Sequence, residues 1–225
     1  MTLEPKNILH YFPIFSSLRP SEITYLRQHL RHKTYQRGEM IYRPGMEANQ
    51  LYFLMDGRVK IGTYSDEDRE VLLSVSHQNE VFGLESLLGV AKHQYFARAH
   101  KDKVRLMILD GRVMQNILEQ NSIFCANLLR HSIQKKMQIE HRMESLFFKN
   151  SRQRITNYLK SLLLNFGRPV GYEHYLKTKL THEEIAKLTN TSRQTVTTVF
   201  NHLKKQNIIH YNRSGILVRD MEQLK

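Results

Sequence analysis

The 225-residue chain contains no tryptophan, one cysteine, ten glycines and five prolines. A single cysteine, Cys125, cannot form an internal disulfide, a structural zinc site or an iron–sulfur cluster. No run approaches the roughly 18 apolar residues of a membrane span, and the first residues lack the basic and apolar regions of a signal peptide. We therefore expect a cytoplasmic protein that does not enter a membrane.

Sequence motifs that mark enzymes are also absent. The chain has no Gly-rich phosphate loop, no G-x-S-x-G nucleophile elbow and no metal-ligand spacing. We expect neither a catalytic site nor a metal site. Two other classes stay open at this point: an enzyme with a nucleic-acid-binding tail, and a module that only binds a ligand or a protein.

Positive charge is abundant and unevenly distributed. The formal net charge is +13, and residues 148–225 contain 14 Lys and Arg against 5 Asp and Glu, whereas the preceding residues contain 20 against 16. A basic segment attached to a nearly balanced body is typical of a module that binds a polyanion, although a solubilising surface would have the same charge.

The texture of the sequence changes twice along the chain. Residues 1–31 read as short helices, residues 32–110 as short β-runs separated by turn residues, and the chain from 112 to Gly167 as helical. Regularly spaced short strands predict an antiparallel sandwich or roll. We expect an α+β protein with three parts: an effector-binding β-roll domain with N-terminal helices (1–111), a dimerisation helix (112–148) and a DNA-binding domain (149–225).

Residues 121–148 form an apolar helical stripe that is too wide for one neighbour. An amphipathic helix covers a single core with a stripe of about 100°, and this one is broader. The helix is therefore expected to pack on its own roll and on a second copy of the chain, as a homodimer. Lys136 and Glu140 lie inside the stripe, either as a simple i,i+4 ion pair or as a polar spot in the dimer interface.

The strongest motif lies between Leu180 and Asp220. Thr181 to Glu184 reads as a capping box, Thr189 to Thr191 as a tight turn, and Ser192 as the start of a second helix that buries Val196, Phe200 and Leu203. Residues 208–211 and 215–218 predict a two-stranded wing. A helix-turn-helix with a wing predicts contact with double-stranded DNA through Thr181, His182, Ser192, Arg193, Gln194, Thr197, Thr198, Asn201 and Lys204.

These segments resemble the Crp/Fnr family of regulators. Ser192-Arg193-Gln194-Thr195-Val196 is similar to the S-R-E-T-V of the family's recognition helix, and Gly38–Tyr42, Leu51–Val59 and Val81–Gly83 resemble its cyclic-nucleotide-binding roll. The resemblance covers nearly the whole chain in the correct order. It implies a cyclic-nucleotide-binding-like β-roll, a long dimer helix, a winged helix-turn-helix, activation by a small effector, and RNA polymerase as a partner.

The effector residues depart from the cyclic-AMP-binding members. Those members carry Gly-Glu-Leu and later Arg-Ser-Ala, where the Glu holds the ribose and the Arg the phosphate. Here Gly83 is followed by Leu84, Glu85 comes one place late, and the Arg-Ser-Ala positions read His93-Gln94-Tyr95. Because a buried phosphate needs a cationic partner, we expect no cyclic AMP binding unless His93 or Arg98 substitutes.

The nitrogen-control branch of the family, which senses 2-oxoglutarate, is locally more similar. Phe82 to Leu88 resembles its F-G-V-L-S-L-L. The resemblance places Lys135 at a basic position of the dimer helix and Glu140 at its acidic partner, but a lysine and Gln94 replace two arginines of that branch. A 2-oxoglutarate-like acid is therefore one possible effector, with a site formed by Phe82, Gly83, Leu84, Glu85, Gln94, Tyr95, Arg98, Lys135 and Glu140.

Overall fold

The computed structural model describes residues 12–100, 103–177, 180–212 and 214–224. The chain divides between Lys136 and Met137 into two compact units, and the division falls inside one long helix. The first unit contains α1 (Pro20–His29), β1 (Arg31–Tyr35), β2 (Met40–Tyr42), β3 (Gln50–Asp56), β4 (Val59–Tyr64), β5 (Glu70–Ser76), β6 (Val81–Phe82), β7 (Phe96–Ala99), β8 (Val104–Asp110), α2 (Gly111–Gln120) and the start of α3 (Ser122–Phe148).

The β-strands of the first unit form two antiparallel sheets. One has the order β1-β8-β3-β6 and the other the order β2-β7-β4-β5. The predicted strand runs at 40–42, 51–54, 59–61, 71–75 and 104–108 all lie within these strands. The expected α+β class and the antiparallel roll are confirmed.

The continuous apolar run from Leu51 to Met55 is explained by burial on both faces of β3. Tyr52 and Leu54 belong to the core between the two sheets, whereas Leu51, Phe53 and Met55 belong to a core that the helices α1, α2 and α3 cover. Successive side chains of a strand point to opposite faces, so a strand that is covered on both sides needs no polar alternation. The strand β6, which contains Phe82, pairs with β3 and forms the edge of this sheet.

Asn121 divides the segment 112–148 into two helices. It is buried, and its side-chain oxygen accepts from the backbone N–H of Phe124 at 2.9 Å, as a helix cap does. Its amide nitrogen donates to Glu22 Oε2 at 2.9 Å and to the carbonyl of Ser17 at 3.3 Å. The side chain that starts α3 therefore also attaches α3 to the N-terminal helices.

The apolar stripe of α3 is covered only in its first turns. Phe124 is fully buried and Leu128 packs against the same core. The rest of the stripe is exposed within the chain, with 45 to 77% of the surface of each side chain accessible: Leu129, Ile133, Met137, Ile139, Met143, Leu146 and Phe147. Exposure of this many large apolar side chains along one helix is uncommon for a chain that stays monomeric.

The second unit contains the end of α3, α4 (Ser151–Phe166), β9 (Arg168–Val170), β10 (Glu173–Leu176), α5 (His182–Thr189), α6 (Arg193–Lys205), β11 (Ile209–Tyr211) and β12 (Ile216–Val218). The predicted wing strands are present as β11 and β12, but they belong to a four-stranded sheet of order β11-β12-β10-β9. The hairpin β9–β10 was not predicted. Arg213, which follows the first wing strand in the sequence, lies outside the described residues. None of the helices in the described parts of the chain is long and apolar enough to cross a membrane.

His77, the residue directly after β5, is expected to make the stability of the first unit depend on pH. Burial lowers the pKa of His77 from 6.5 to about 4, with Arg58 acting in the same direction and Glu80 against it. Between pH 6.5 and 4 the unfolded chain binds a proton that the folded chain does not, so stability present above pH 6.5 is lost as the pH falls. We predict that this loss amounts to as much as about 3 kcal/mol and that His77→Gln removes it. Urea unfolding at pH 7 and pH 4.5, followed by tyrosine fluorescence, measures the difference; equal pH dependence in both proteins would contradict it.

Candidate nucleic-acid interface

Both helices of the pair α5–α6 begin at a residue whose side chain caps the helix. Thr181 caps α5 in the predicted capping box: its hydroxyl accepts from the backbone N–H of Glu184, and the Glu184 carboxylate accepts from the backbone N–H of Thr181 at 2.8 Å. Ser192 caps α6 by accepting from the backbone N–H of Thr195 at 3.0 Å. Each cap satisfies N–H groups that have no partner within the helix, so the start of both helices is determined locally.

Two arginines outside the helix pair hold the turn between α5 and α6. The C-cap residue Asn190 adopts a left-handed conformation with φ 50°. The Arg154 guanidinium on α4 donates to the carbonyls of Thr189 and Asn190, both at 2.9 Å, and the Arg142 guanidinium donates to the carbonyl of Leu188 at 3.1 Å. These contacts satisfy three carbonyls at the end of α5 and position the turn from which α6 departs.

The helix α6 separates buried apolar side chains from exposed polar ones. Val196, Phe200 and Leu203 are buried in the core of the second unit, as predicted, together with Val199. On the other side, the predicted contact residues form a surface that we call the reading face; Thr197 is half-buried and the others are exposed: Arg193, Gln194, Thr197, Thr198, Asn201 and Lys204. The structure thus brings six of the nine predicted DNA contacts onto one helix face.

Thr181 and Ser192, two further predicted DNA contacts, are the caps of α5 and α6. Besides accepting from the backbone, the Thr181 hydroxyl donates to Glu184 Oε2 at 2.9 Å. The Ser192 hydroxyl lies 2.8 Å from that of Thr195. Both side chains therefore already take part in hydrogen bonds within the protein.

His182, the ninth predicted contact, connects α5 with α6. Its Nδ1 lies 2.9 Å from the Thr197 hydroxyl, and that hydroxyl donates to the carbonyl of Arg193 at 2.9 Å. The imidazole must then be the donor in the first of these bonds. Burial, followed by the positive charge of Arg193, lowers the pKa of His182 below its ordinary value, which favours the neutral ring.

The wing residue Tyr211, which sequence reasoning missed, contacts the reading face. Its hydroxyl donates to Asn201 Oδ1 at 2.9 Å, and Lys204 Nζ lies 5.6 Å from its ring centroid. The Tyr211 ring also packs edge-on against Phe200 at 5.3 Å between centroids. A cleft of about 540 Å³ lies beside it, lined by residues from the starts of α5 and α6 and from the wing, among them Thr181, His182, Arg193, Tyr211 and Asn212.

Two family models match the chain. A cyclic nucleotide-binding domain matches residues 32–121, and a Crp-like helix-turn-helix domain matches residues 153–225. The two matches lie in the order that the sequence motifs indicate, and together they span well over half of the chain. The chain belongs to the Crp/Fnr family.

Curated relatives and solved structures agree with this Crp/Fnr assignment. The global nitrogen regulator of Nostoc sp. is 27% identical over 83% of this chain and 84% of its own length, and the CRP-like cAMP-activated global transcriptional regulator of Mycobacterium tuberculosis is 26% identical over 94% of both chains. A structure of a CooA variant from Carboxydothermus hydrogenoformans has a TM-score of 0.75 and 22% identity, covering 100% of this chain and 95% of its own. FixK2 from Bradyrhizobium japonicum has a TM-score of 0.76 and 17% identity, over 87% and 95% of the two chains.

The predicted effector residues of this Crp/Fnr chain are partly brought together in the roll. Phe82 is buried and stacks on Tyr52 at 5.0 Å between centroids. Gly83 has φ +80°, and a Cβ there would lie 2.6 Å from the carbonyl oxygen of Gln50. Leu84 and Glu85 begin the 3₁₀ helix Leu84–Leu87 and are half-buried. The backbone from Phe82 to Glu85 therefore has little freedom to move.

The Glu85 carboxylate contacts the imidazole of His93. His93 Nδ1 lies 2.7 Å from Glu85 Oε1, and the imidazole, which is 2% exposed, stacks on Tyr42 with 3.7 Å between ring centroids. Burial, followed by the negative charge of Glu85, raises the pKa of Tyr42 far above its ordinary value, so this phenol stays neutral. In this structure the late glutamate and the histidine at the arginine position are thus partners of each other.

The remaining predicted effector residues are more dispersed. Arg98 on β7 forms an ion pair with Glu70, while Gln94 and Tyr95 are exposed. Lys135 Nζ donates to the carbonyl of Val81 at 3.3 Å and lies 3.8 Å from Glu80 Oε1. Glu140 is exposed on the part of α3 that belongs to the second unit. Lys135 therefore contacts β6 at Val81, the residue before Phe82. Arg98, the proposed substitute for the family's arginine, is already paired with the Glu70 carboxylate.

We predict that Arg154→Ala destabilises the second unit by about 2 to 3 kcal/mol, because two carbonyls of the α5–α6 turn lose a charged donor. Arg154→Lys should recover only part of this, since an ammonium group cannot reproduce the two-pronged contact. Chemical unfolding together with hydrogen exchange of the α5 and α6 amides measures both effects.

Lys187→Ala is the matched control for this prediction. Lys187 is exposed on α5 and its ion pair with Glu183, at 3.8 Å, lies on the surface. Removing it should cost at most about 0.5 kcal/mol. Equal stability losses for Arg154→Ala and Lys187→Ala would show that the guanidinium does not hold the turn.

Proposed function

We propose that this Crp/Fnr regulator binds an inverted-repeat DNA operator as a homodimer, with α6 in the major groove, under the control of a small effector other than cyclic AMP. The observation that carries the proposal is the reading face of α6, whose side chains can all donate or accept hydrogen bonds while the opposite side of the helix is buried. A helix of this kind following a capped helix and a tight turn fits the major groove with its N-terminal residues at the base edges.

The identities on the reading face favour particular bases. Arg193 is the first residue of α6, and its guanidinium can pair with the O6 and N7 atoms of guanine. Gln194, at the position of the family's glutamate, can both donate and accept and therefore matches adenine better than cytosine. Thr198 stands where the cyclic-AMP-type members have a second arginine. We infer an operator with one guanine contact fewer per half-site and a higher A·T content.

Homodimerisation is supported by the exposed part of the α3 stripe. Seven large apolar side chains between Leu129 and Phe147 are accessible within the single chain. A second copy packing along the same stripe would remove this surface from water, at about 25 cal/mol per Å² of apolar area. Two recognition helices related by a two-fold axis would read half-sites about 34 Å apart, one turn of DNA.

The effector proposal rests on the residues of the roll. A cyclic phosphate would need a free cation where the family's arginine stands, and His93 at that position is buried against Tyr42 and bonded to Glu85. Lys135, in contrast, brings an ammonium group to β6 directly before Phe82 and Gly83. A small acid of the 2-oxoglutarate type would find one cation there, provided that it competes with Glu80.

We predict different effects for two cations of the reading face. Arg193→Ala should cost roughly 1–3 kcal/mol of affinity and relax selectivity at one base per half-site, because a paired guanine contact is lost. Lys204→Ala should weaken binding to all sequences alike and flatten the salt dependence, as loss of a phosphate contact does. Affinities for single-base variants of an operator selected from random DNA, measured at several salt concentrations, separate the two. If Arg193→Ala keeps wild-type selectivity at every base, Arg193 contacts only phosphate.

We predict that replacing Met137 and Met143 by glutamate produces monomers without specific DNA binding. Both side chains are about half exposed within the chain and would lie in the dimer interface, where unpaired carboxylates are costly. Light scattering should give half the wild-type mass.

Gln138→Glu combined with Ser145→Glu is the matched control, since it adds the same charge to the side of α3 away from the stripe. This control should keep the wild-type mass. If the methionine variant also has the wild-type mass, the dimer interface does not lie along the α3 stripe.

A further inference from the structure

Tyr211 connects the wing to the middle of the reading face. It lies at the end of β11, is half-buried, and donates its hydroxyl proton to Asn201 Oδ1 at 2.9 Å. The ring is held by Phe200 at 5.3 Å and by His182 at 5.7 Å, between centroids. Because residues of α5 and α6 both pack against this ring, the packing of the ring determines where the hydroxyl lies.

The hydrogen bond from Tyr211 to Oδ1 leaves the other end of the Asn201 amide turned outward in this structure. In a carboxamide the acceptor oxygen and the donor NH2 group lie in one plane, on opposite sides of the Cβ–Cγ bond axis. Since Oδ1 is held by the Tyr211 hydroxyl, the NH2 group is the end turned away from the wing. Without that bond the amide could rotate by 180° at little cost.

We propose that Tyr211 is a specificity-determining positioning residue, which presents Asn201 to DNA as a hydrogen-bond donor. This inference rests on the proposed function and adds to it the chemistry of one contact. The matching DNA group is an acceptor: N7 of a purine, O6 of guanine, or a phosphate oxygen. The two-pronged pairing of asparagine with adenine is disfavoured, because it needs the oxygen and the NH2 group to face the base together.

The rigidity of the arrangement gives the contact its selectivity. An asparagine that is already oriented loses less conformational freedom on binding than a free one, and a site held by packed neighbours keeps its geometry. Lys204 Nζ lies over the Tyr211 ring, so the same tyrosine restrains the next cation along the helix. Tyr211→Phe keeps the ring and its contacts and removes only the hydroxyl.

The test uses the full chain and an operator selected by the wild type from random DNA. Each purine in turn is replaced by its 7-deaza analogue, each guanine by 2-aminopurine, and each phosphate by a methylphosphonate. The first removes an N7 acceptor, the second the O6 acceptor of guanine, and the third a phosphate charge. Affinities are measured for the wild type, Asn201→Ala, Tyr211→Phe and Tyr175→Phe. The last is a matched control, because Tyr175 in the same sheet donates its hydroxyl to the carbonyl of Ser214 at 3.1 Å.

We expect the wild type to lose about fivefold in affinity at one modified position per half-site, the worth of one hydrogen bond. Asn201→Ala should be insensitive to that modification and Tyr211→Phe largely insensitive, while Tyr175→Phe should behave as the wild type. A position sensitive to the deaza or the 2-aminopurine replacement identifies a base contact and a methylphosphonate-sensitive one a phosphate contact. Thermal unfolding of Tyr211→Phe close to that of the wild type shows that the fold is kept.

Two results would overturn the inference while leaving the proposed function intact. One is an unchanged sensitivity of Tyr211→Phe at the position that Asn201→Ala no longer senses. The other is an Asn201→Ala protein with the full sensitivity profile of the wild type. Failure of the wild type to select any operator overturns the proposed function instead, and the inference with it.

Discussion

The contact between the Arg154 guanidinium and the two carbonyls at the end of α5 is the interaction on which the DNA-binding surface depends. The last carbonyls of a helix have no partner within it, and Asn190 turns the chain sharply by adopting a left-handed conformation. By binding Thr189 and Asn190 from α4, Arg154 sets the direction in which α6 leaves the turn. In this position the apolar face of α6, with Phe200, packs in the core of the second unit and Arg193 stays exposed. A change of this turn would displace every residue of the reading face together.

In the first unit, several of the predicted effector residues contact other side chains of the same unit. Glu85 and His93 form a short contact beneath the ring of Tyr42, and Phe82 stacks on Tyr52. The His93 imidazole is buried, and its Nδ1 has the partly exposed Glu85 carboxylate as its partner. The first unit matches a cyclic nucleotide-binding domain, while Glu85 is paired with His93 and Arg98 with Glu70. Lys135 donates to the carbonyl of Val81 and also lies 3.8 Å from a carboxylate oxygen of Glu80.

Features encoded by residues close in sequence were predictable, and features made by distant ones were not. The caps Thr181 and Ser192, the buried face of α6 and the strands of the roll follow from spacing alone. Arg154 and Tyr211 belong to segments 35 and 10 residues from their partners, so no local pattern indicates them. The hairpin β9–β10 was not predicted because β9, with the sequence Arg-Pro-Val, is exposed throughout and has no alternating pattern. Arg98 was considered as a ligand for an effector because its ion pair with Glu70, on another strand, cannot be read from spacing.

The central claim is that α6 reads the major groove as one of two symmetric copies, and methylation protection tests it most directly. Dimethyl sulfate modifies N7 of guanine in the major groove and N3 of adenine in the minor groove, so one reaction probes both grooves on a DNA fragment that the protein selects. The account predicts protection of guanine N7 at two positions about 10 base pairs apart, related by two-fold symmetry, with adenine N3 left reactive between them. Protection of adenine N3 alone, or of a single asymmetric cluster, would contradict it.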